Sequence, residues 1–230
     1  MKKMSFVFLI PLLLTACEIL PKEDLELNNQ LLSYEIGKTH NEILMYIYNK
    51  QKTGFTSTEN ISMIEQFLTS VKMYDEQIIK ECVQDLTATP EFDLMFNAKS
   101  AAEDLNIYAY LEAVKKHFNP SIEIMNCIKK AFTMGEVCDP KEVKNYVINN
   151  IQKKAWTGND KELAHVFTDV FLHSYDYWMS TRPDTKALKR SSLVILYDAG
   201  GAIHGLIFGP IGSIIEGALL SVAANERLPE

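Results

Sequence analysis

The sequence predicts an all-α helical bundle with a C-terminal helical hairpin of small residues. Three observations predict it. Apolar residues recur at three- and four-residue steps through most of the 230-residue chain. Helix start and stop signals punctuate those stripes, among them Thr56 with Glu59, Asn119-Pro120 and Asp139-Pro140. No stretch alternates polar and apolar residues with the period of two that a half-buried strand requires. With 47% hydrophobic and 23% charged residues, the balance is that of a globular protein, which excludes a disordered, collagen-like or polytopic membrane chain. A net charge of −7 gives no general attraction to nucleic acid or anionic lipid.

The chain opens MKKMSFVFLIPLLLTAC. Lys2 and Lys3 precede an apolar run from Phe6 to Leu14. That run is shorter than the ~20 residues a spanning helix needs, so residues 1–16 read as a secretory signal peptide. Leu14-Thr15-Ala16-Cys17 resembles the lipobox of bacterial lipoproteins. The resemblance implies a diacylglycerol on the Cys17 thiol, cleavage after Ala16, and a fatty chain such as palmitate on the new amino group. Each buried methylene contributes ~0.8 kcal/mol; one chain holds marginally, and two or three hold stably. Glu18 follows the cysteine, which in such lipoproteins favours the outer membrane over the inner. Residues 17–28 are acidic, contain Pro21 and read as a tether; the helical body follows over 29–190 and the hairpin over 191–225.

Ile36, His40, Ile43, Leu44, Ile47 and Tyr48 form the first helical stripe, with Gly54 as its stop. Thr56 and Glu59 stand at capping-box spacing before a single long stripe, Ile61 to Leu86, that Pro90 ends. Residues 99–117 read as the next helix, with Leu105, Tyr108, Leu111 and Ala113 or Val114 inward. Asn119-Pro120 breaks it, and Ile124, Cys127, Ile128 and Phe132 carry the stripe onward. Asp139-Pro140-Lys141-Glu142 starts another helix, with Val143, Tyr146, Val147 and Ile151 inward. Gly158-Asn159-Asp160 then punctuates. Leu163, Val166, Phe167, Val170, Ser174, Tyr177 and Trp178 make the following stripe, which Arg182-Pro183-Asp184 ends.

The last segment is unlike the rest. From Leu193 to Ala224 the only full charges are Asp198 and Glu216. Gly201, Gly205, Gly209, Ser213, Gly217 and Ser221 recur every fourth residue and place small side chains on one helix face, in the manner of a glycine zipper. Glycine inside a helix costs ~1 kcal/mol against alanine, so several on one face call for close packing. Gly209-Pro210 interrupts the ladder and predicts a hairpin with its turn at 209–212. Three outcomes follow: packing against the main bundle, insertion into or against the membrane, or self-association through the zipper, which is compatible with either of the first two.

The lipobox, helical body and Gly209-Pro210-x-Gly212 tail together resemble a class of uncharacterised helical bacterial lipoproteins, as does Gly37-x-x-His40-Asn41. That resemblance carries no activity with it.

Beyond Cys17, three cysteines remain. Cys127 and Cys138 are candidates for a disulfide across a helix end; the alternative is that Cys82, Cys127 and Cys138 are all small core residues. Gly37-Lys38-Thr39 is not a phosphate loop, since Leu32 stands where the first glycine is needed. His40 reads as a capping or core-bonded histidine, and His204 as a buried neutral one. The most polar constellation is Glu162, His165, Asp169, His173 and Asp176, at three- and four-residue steps on one helix face. Glu162, His165, Asp169 and His173 have the ligand chemistry for one metal ion with an open position; the competing reading is a solvated polar face.

The expected function is a membrane-anchored envelope lipoprotein serving as a binding or structural module. It needs no cofactor. Its partners are the membrane, through Cys17, and a protein or second copy met by the hairpin. The alternative is a metal-dependent periplasmic hydrolase built on the Glu162/His165/Asp169/His173 face.

Overall fold

The computed structural model describes residues 35–50, 56–96, 106–181 and 188–228, and among them every regular element is helical. The chain runs α1 (Ile36–Lys50), α2 (Ser57–Ser70), α3 (Glu76–Thr87), α4 (Pro90–Phe96), α5 (Ile107–Phe118), α6 (Ile122–Gly135) and α7 (Pro140–Val147). A π-helical turn (Ile148–Gln152) then leads to α8 (Gly158–Thr181), α9 (Leu188–Gly205), a 3-10 turn (Leu206–Phe208) and α10 (Gly209–Arg227). The all-α bundle is therefore observed. The signal peptide, Cys17, the tether, Gly54, Leu105 and the Arg182-Pro183-Asp184 stop all lie outside the described residues.

The caps follow the sequence signals. The Thr56 hydroxyl accepts from Glu59 N at 3.3 Å while the Glu59 carboxylate accepts from Thr56 N at 2.8 Å, closing the capping box. Asp139 accepts from Glu142 N at 2.9 Å, with Pro140 in the first turn. Asn119 takes a left-handed conformation to end α5, and Ser121 caps α6 two residues later.

Three boundaries differ from the sequence reading. The hairpin turn is one: it lies at Leu206–Phe208, and 209–212, where the sequence places it, is already the first turn of α10. The Ile61–Leu86 stripe is not one helix. Lys72 turns left-handed at φ 52° and Asp75 caps a new helix by accepting from Gln77 N at 2.8 Å, so Val71 and Ile78 become exposed. Pro90 begins α4 as well as closing the region before it, because the Thr89 hydroxyl accepts from Phe92 N at 3.1 Å. In α5 the inward tyrosine is Tyr110, fully buried, and not Tyr108, which is exposed.

The α9–α10 hairpin occupies the middle. Its α9 packs on α8, α5, α6 and α7, and its α10 on α1, α2 and α3. Hairpin and body share one hydrophobic core that includes Ile43, Leu68, Leu111, Ile128, Phe167, Ile203 and Leu219. Within Ser191–Arg227 an 18-residue window is apolar enough to cross a membrane, yet 78% of that window is buried inside the bundle. The hairpin thus packs against the main bundle.

The small residues allow this. A Cβ on Gly205 would collide with the backbone of Gly212, and one on Gly201 would stand 2.7 Å from the Glu216 carbonyl oxygen. The two backbones meet where no side chain intervenes. Gly209 is not a packing position: its φ is 80°, and a Cβ there would face open space. It supplies the left-handed residue that restarts the helix ahead of Pro210. Gly212 takes its place in the contact. Ser213 and Gly217 are buried as the zipper predicts.

The Cys127–Cys138 disulfide is not formed; Cys82, Cys127 and Cys138 are all free. Cys127 lies eight residues before the end of α6, about 12 Å along the axis, whereas Cys138 lies beyond that end. Cys127 faces Tyr146 and Cys138 faces Glu142. Burial raises the Cys82 thiol to about 12, which leaves it unreactive.

Candidate functional site

The chemistry of this molecule is concentrated inside the hairpin. Asp198 on α9 and Glu216 on α10 are each fully buried, and each meets a buried histidine. A charge at such a depth is expensive unless it is paired and hydrogen-bonded, so the protonation of these groups has to be settled by their neighbours.

Around Asp198, four helices converge. Oδ2 accepts from the Ser174 hydroxyl and, at 3.2 Å, from Trp178 Nε1, both on α8. Ser221 of α10 also faces the carboxyl. His40 of α1 brings Nε2 to 3.7 Å from Oδ2, outside hydrogen-bond range, with the Gly217 carbonyl of α10 beside the same ring. Burial raises the Asp198 carboxyl to about 7, against the pull of Ser174, Ser221 and Trp178. Burial also lowers His40 to about 4.

The sequence motif around His40 places its ring. Gly37 lets α1 approach α8: a Cβ there would stand 2.6 Å from the Asp169 carbonyl oxygen. Asn41 Nδ2 donates to the His173 carbonyl at 2.8 Å, which turns its Oδ1 toward His40 Nδ1 at 3.1 Å. Gly37-x-x-His40-Asn41 is thus a docking motif for α1 on α8. Its histidine points into the hairpin.

The second pair is held more tightly. His204 Nδ1 lies 2.7 Å from Glu216 Oε2 across the two helices of the hairpin. The Tyr110 ring packs on His204 at a centroid distance of 4.3 Å, and its hydroxyl faces the same carboxyl. Burial raises Glu216, and His204 and Tyr110 oppose that rise. Glu216 Oε1 and Asp198 Oδ1 are both buried without a hydrogen-bond partner.

The predicted metal residues are not gathered. Among the described residues no three His, Cys, Asp or Glu side chains are grouped to hold a metal ion. Asp169 Oδ2 accepts from Gly37 N at 2.8 Å and so caps α1 from another helix, while Asp169 Oδ1 meets His173 Nδ1 at 3.2 Å. His165 turns away to a shallow cleft shared with Trp156, Lys154 and Lys161. Glu162 is half-buried, and that burial raises its carboxyl. One turn of helix separates each of these residues from the next, and their side chains serve different neighbours.

Neither buried pair forms a nucleophilic triad. Ser174 donates to the aspartate, not to a histidine, and the whole cluster is closed to solvent. What the arrangement does is hold helices together through uncharged or mutually compensated polar groups.

The sequence marked Asp198 and Glu216 only as the two charges in an apolar stretch. That was the available signal. Tyr110 carried none; Gly212 and Asn41 stood in short motifs that did not reveal their contacts, since each depends on which helices meet.

No known protein family matches this chain, and neither a curated protein nor a solved structure is significantly similar to it.

Proposed function

We propose that this chain is a membrane-anchored envelope lipoprotein that works by binding or as a structural element, not by turnover. One observation carries the reading. The segment apolar enough to enter a membrane is shut inside the bundle, which leaves acyl chains on Cys17 as the anchor the lipobox implies. Glu18 favours placement at the outer membrane. The zipper glycines are used within the chain, so a partner protein or second copy would meet the outer helices instead.

The test is fractionation with mass spectrometry in a bacterial host that processes lipoproteins. The expected mature protein begins at an acylated Cys17 and sediments with membranes, and Cys17→Ser releases it. An intact Met1, or a Cys17→Ser variant that stays in the membrane fraction, overturns the reading.

A further inference from the structure

We infer that the folded protein keeps a proton on the Asp198 carboxyl and leaves His40 neutral, so that the polar latch between the hairpin and α1 is uncharged. The inference rests on a chain of donors and acceptors. Asn41 Nδ2 is committed to the His173 carbonyl, so its Oδ1 is the atom facing His40. An oxygen there requires His40 to carry its hydrogen on Nδ1. Nε2 makes no hydrogen bond: it stands 3.7 Å from Asp198, with the Gly217 carbonyl beside the ring. That separation is too long for a buried ion pair to be worth its desolvation. Ser174 and Trp178 both donate to Oδ2; Ser221 also faces the carboxyl, and Oδ1 makes no hydrogen bond.

The groups facing this site are few. From α8 come Ser174, Trp178 and, at the edge of His40, His173. From α10 come Ser221 and the Gly217 carbonyl. From α1 come His40 and Asn41. Among the described residues no lysine or arginine bears on Asp198. Tyr110 of α5, Glu91 of α4 and Cys82 of α3 face the other pair.

A consequence for pH follows. Asp198 rises from 3.8 to about 7 on folding, so by itself it makes stability fall as pH rises across that span. His40 drops from 6.5 to about 4, so by itself it makes stability fall as pH falls across that span. Between about 4 and 6.5 the unfolded chain holds one proton, on the imidazole, and the folded chain holds one proton, on the carboxyl. The proton changes residue and the count does not change. The pair buries two ionisable groups with almost no pH dependence, and removal of either partner exposes the other's slope.

Two measurements on the full chain test this. Nitrogen NMR of histidine-labelled protein at pH 6 is expected to show His40 neutral, protonated on Nδ1 only. A doubly protonated His40 ring overturns the inference without any variant. Thermal melts then compare Asp198→Asn, which imitates a protonated carboxyl, with His40→Gln. Asp198→Asn is expected to melt within about 3 °C of the unaltered chain at pH 6 and to lose ground toward pH 4. His40→Gln is expected to lose ground from pH 4 toward pH 7. An Asp198→Asn protein that fails to fold at pH 6, or slopes of the opposite sign, refutes the uncharged latch.

Discussion

Asp198 and Glu216 are both fully buried in one hairpin, but their partners come from different places. Glu216 is answered from within the hairpin, by His204 one helix away at 2.7 Å, with Tyr110 of α5 alongside. Asp198 is answered from outside it, by Ser174 and Trp178 of α8 and by His40 of α1. The first site ties the hairpin to itself and the second ties it to the body. The difference teaches what each would tolerate. A close, short pair depends on both members being present. A carboxyl held by two neutral donors depends much less on its distant histidine.

Both sites rest on the approach of α9 to α10, so the change that breaks the comparison altogether lies there. Gly205→Ala places a methyl group into the Gly212 backbone, where no flexible side chain can move aside. The expected cost is about 3 kcal/mol or more, with both sites lost together. Urea unfolding measures it. A variant with the unaltered midpoint would mean that the hairpin helices do not pack as closely as they do here.

The next effect separates the two sites. His204→Ala strips Glu216 of its partner in a closed apolar setting and is expected to cost about 3–5 kcal/mol. His40→Ala removes a ring that makes no hydrogen bond to Asp198 and is expected to cost about 1–3 kcal/mol. Burial already raises Glu216 above 4.5. Without His204 the folded chain must hold that proton alone, so the deficit of His204→Ala grows as pH rises above that value. Equal losses in the two alanine variants, measured at pH 6, would erase the distinction between an internal and an external partner.

How far all this was legible in the chain is itself instructive. The all-α class, the capping box at Thr56 and the cap at Asp139 depend on residues within four positions of each other, and local chemistry fixes them. The hairpin was legible because Gly209-Pro210 interrupts a run of small residues that repeat every fourth position, although its turn lies just before that dipeptide. The break at Lys72–Asp75 was not, because the apolar stripe runs through it and only the cap at Asp75 interrupts the helix. The buried pairs were half legible. Two carboxylates in an uncharged stretch announce that something must answer them, but their partners lie far away in sequence: His40 is 158 positions from Asp198, and Tyr110 is on a helix whose stripe pointed to Tyr108. The metal reading failed for a related reason. Spacing puts Glu162, His165, Asp169 and His173 on one face, but spacing cannot tell that α1 will arrive there and take Asp169 as its cap.

That cap is the smallest effect, and it sharpens the comparison most delicately because it reaches His40 without touching either pair. Asp169 accepts from Gly37 N in the first turn of α1, a helix that has no acidic residue of its own there. Asp169→Ala is expected to cost about 1 kcal/mol and to loosen the seat of His40, while Asp169→Asn keeps an acceptor and recovers most of the loss. Hydrogen exchange is expected to speed up at the start of α1 and to stay unchanged around Glu216, whose partners belong to α9 and α5. His165→Ala, on the same helix face but against a shallow cleft, is expected to stay within about 0.5 kcal/mol of the unaltered chain. If Asp169→Ala left α1 as protected as before and His165→Ala did not, the polar face of α8 would have to be a site after all, and the contact with Gly37 incidental.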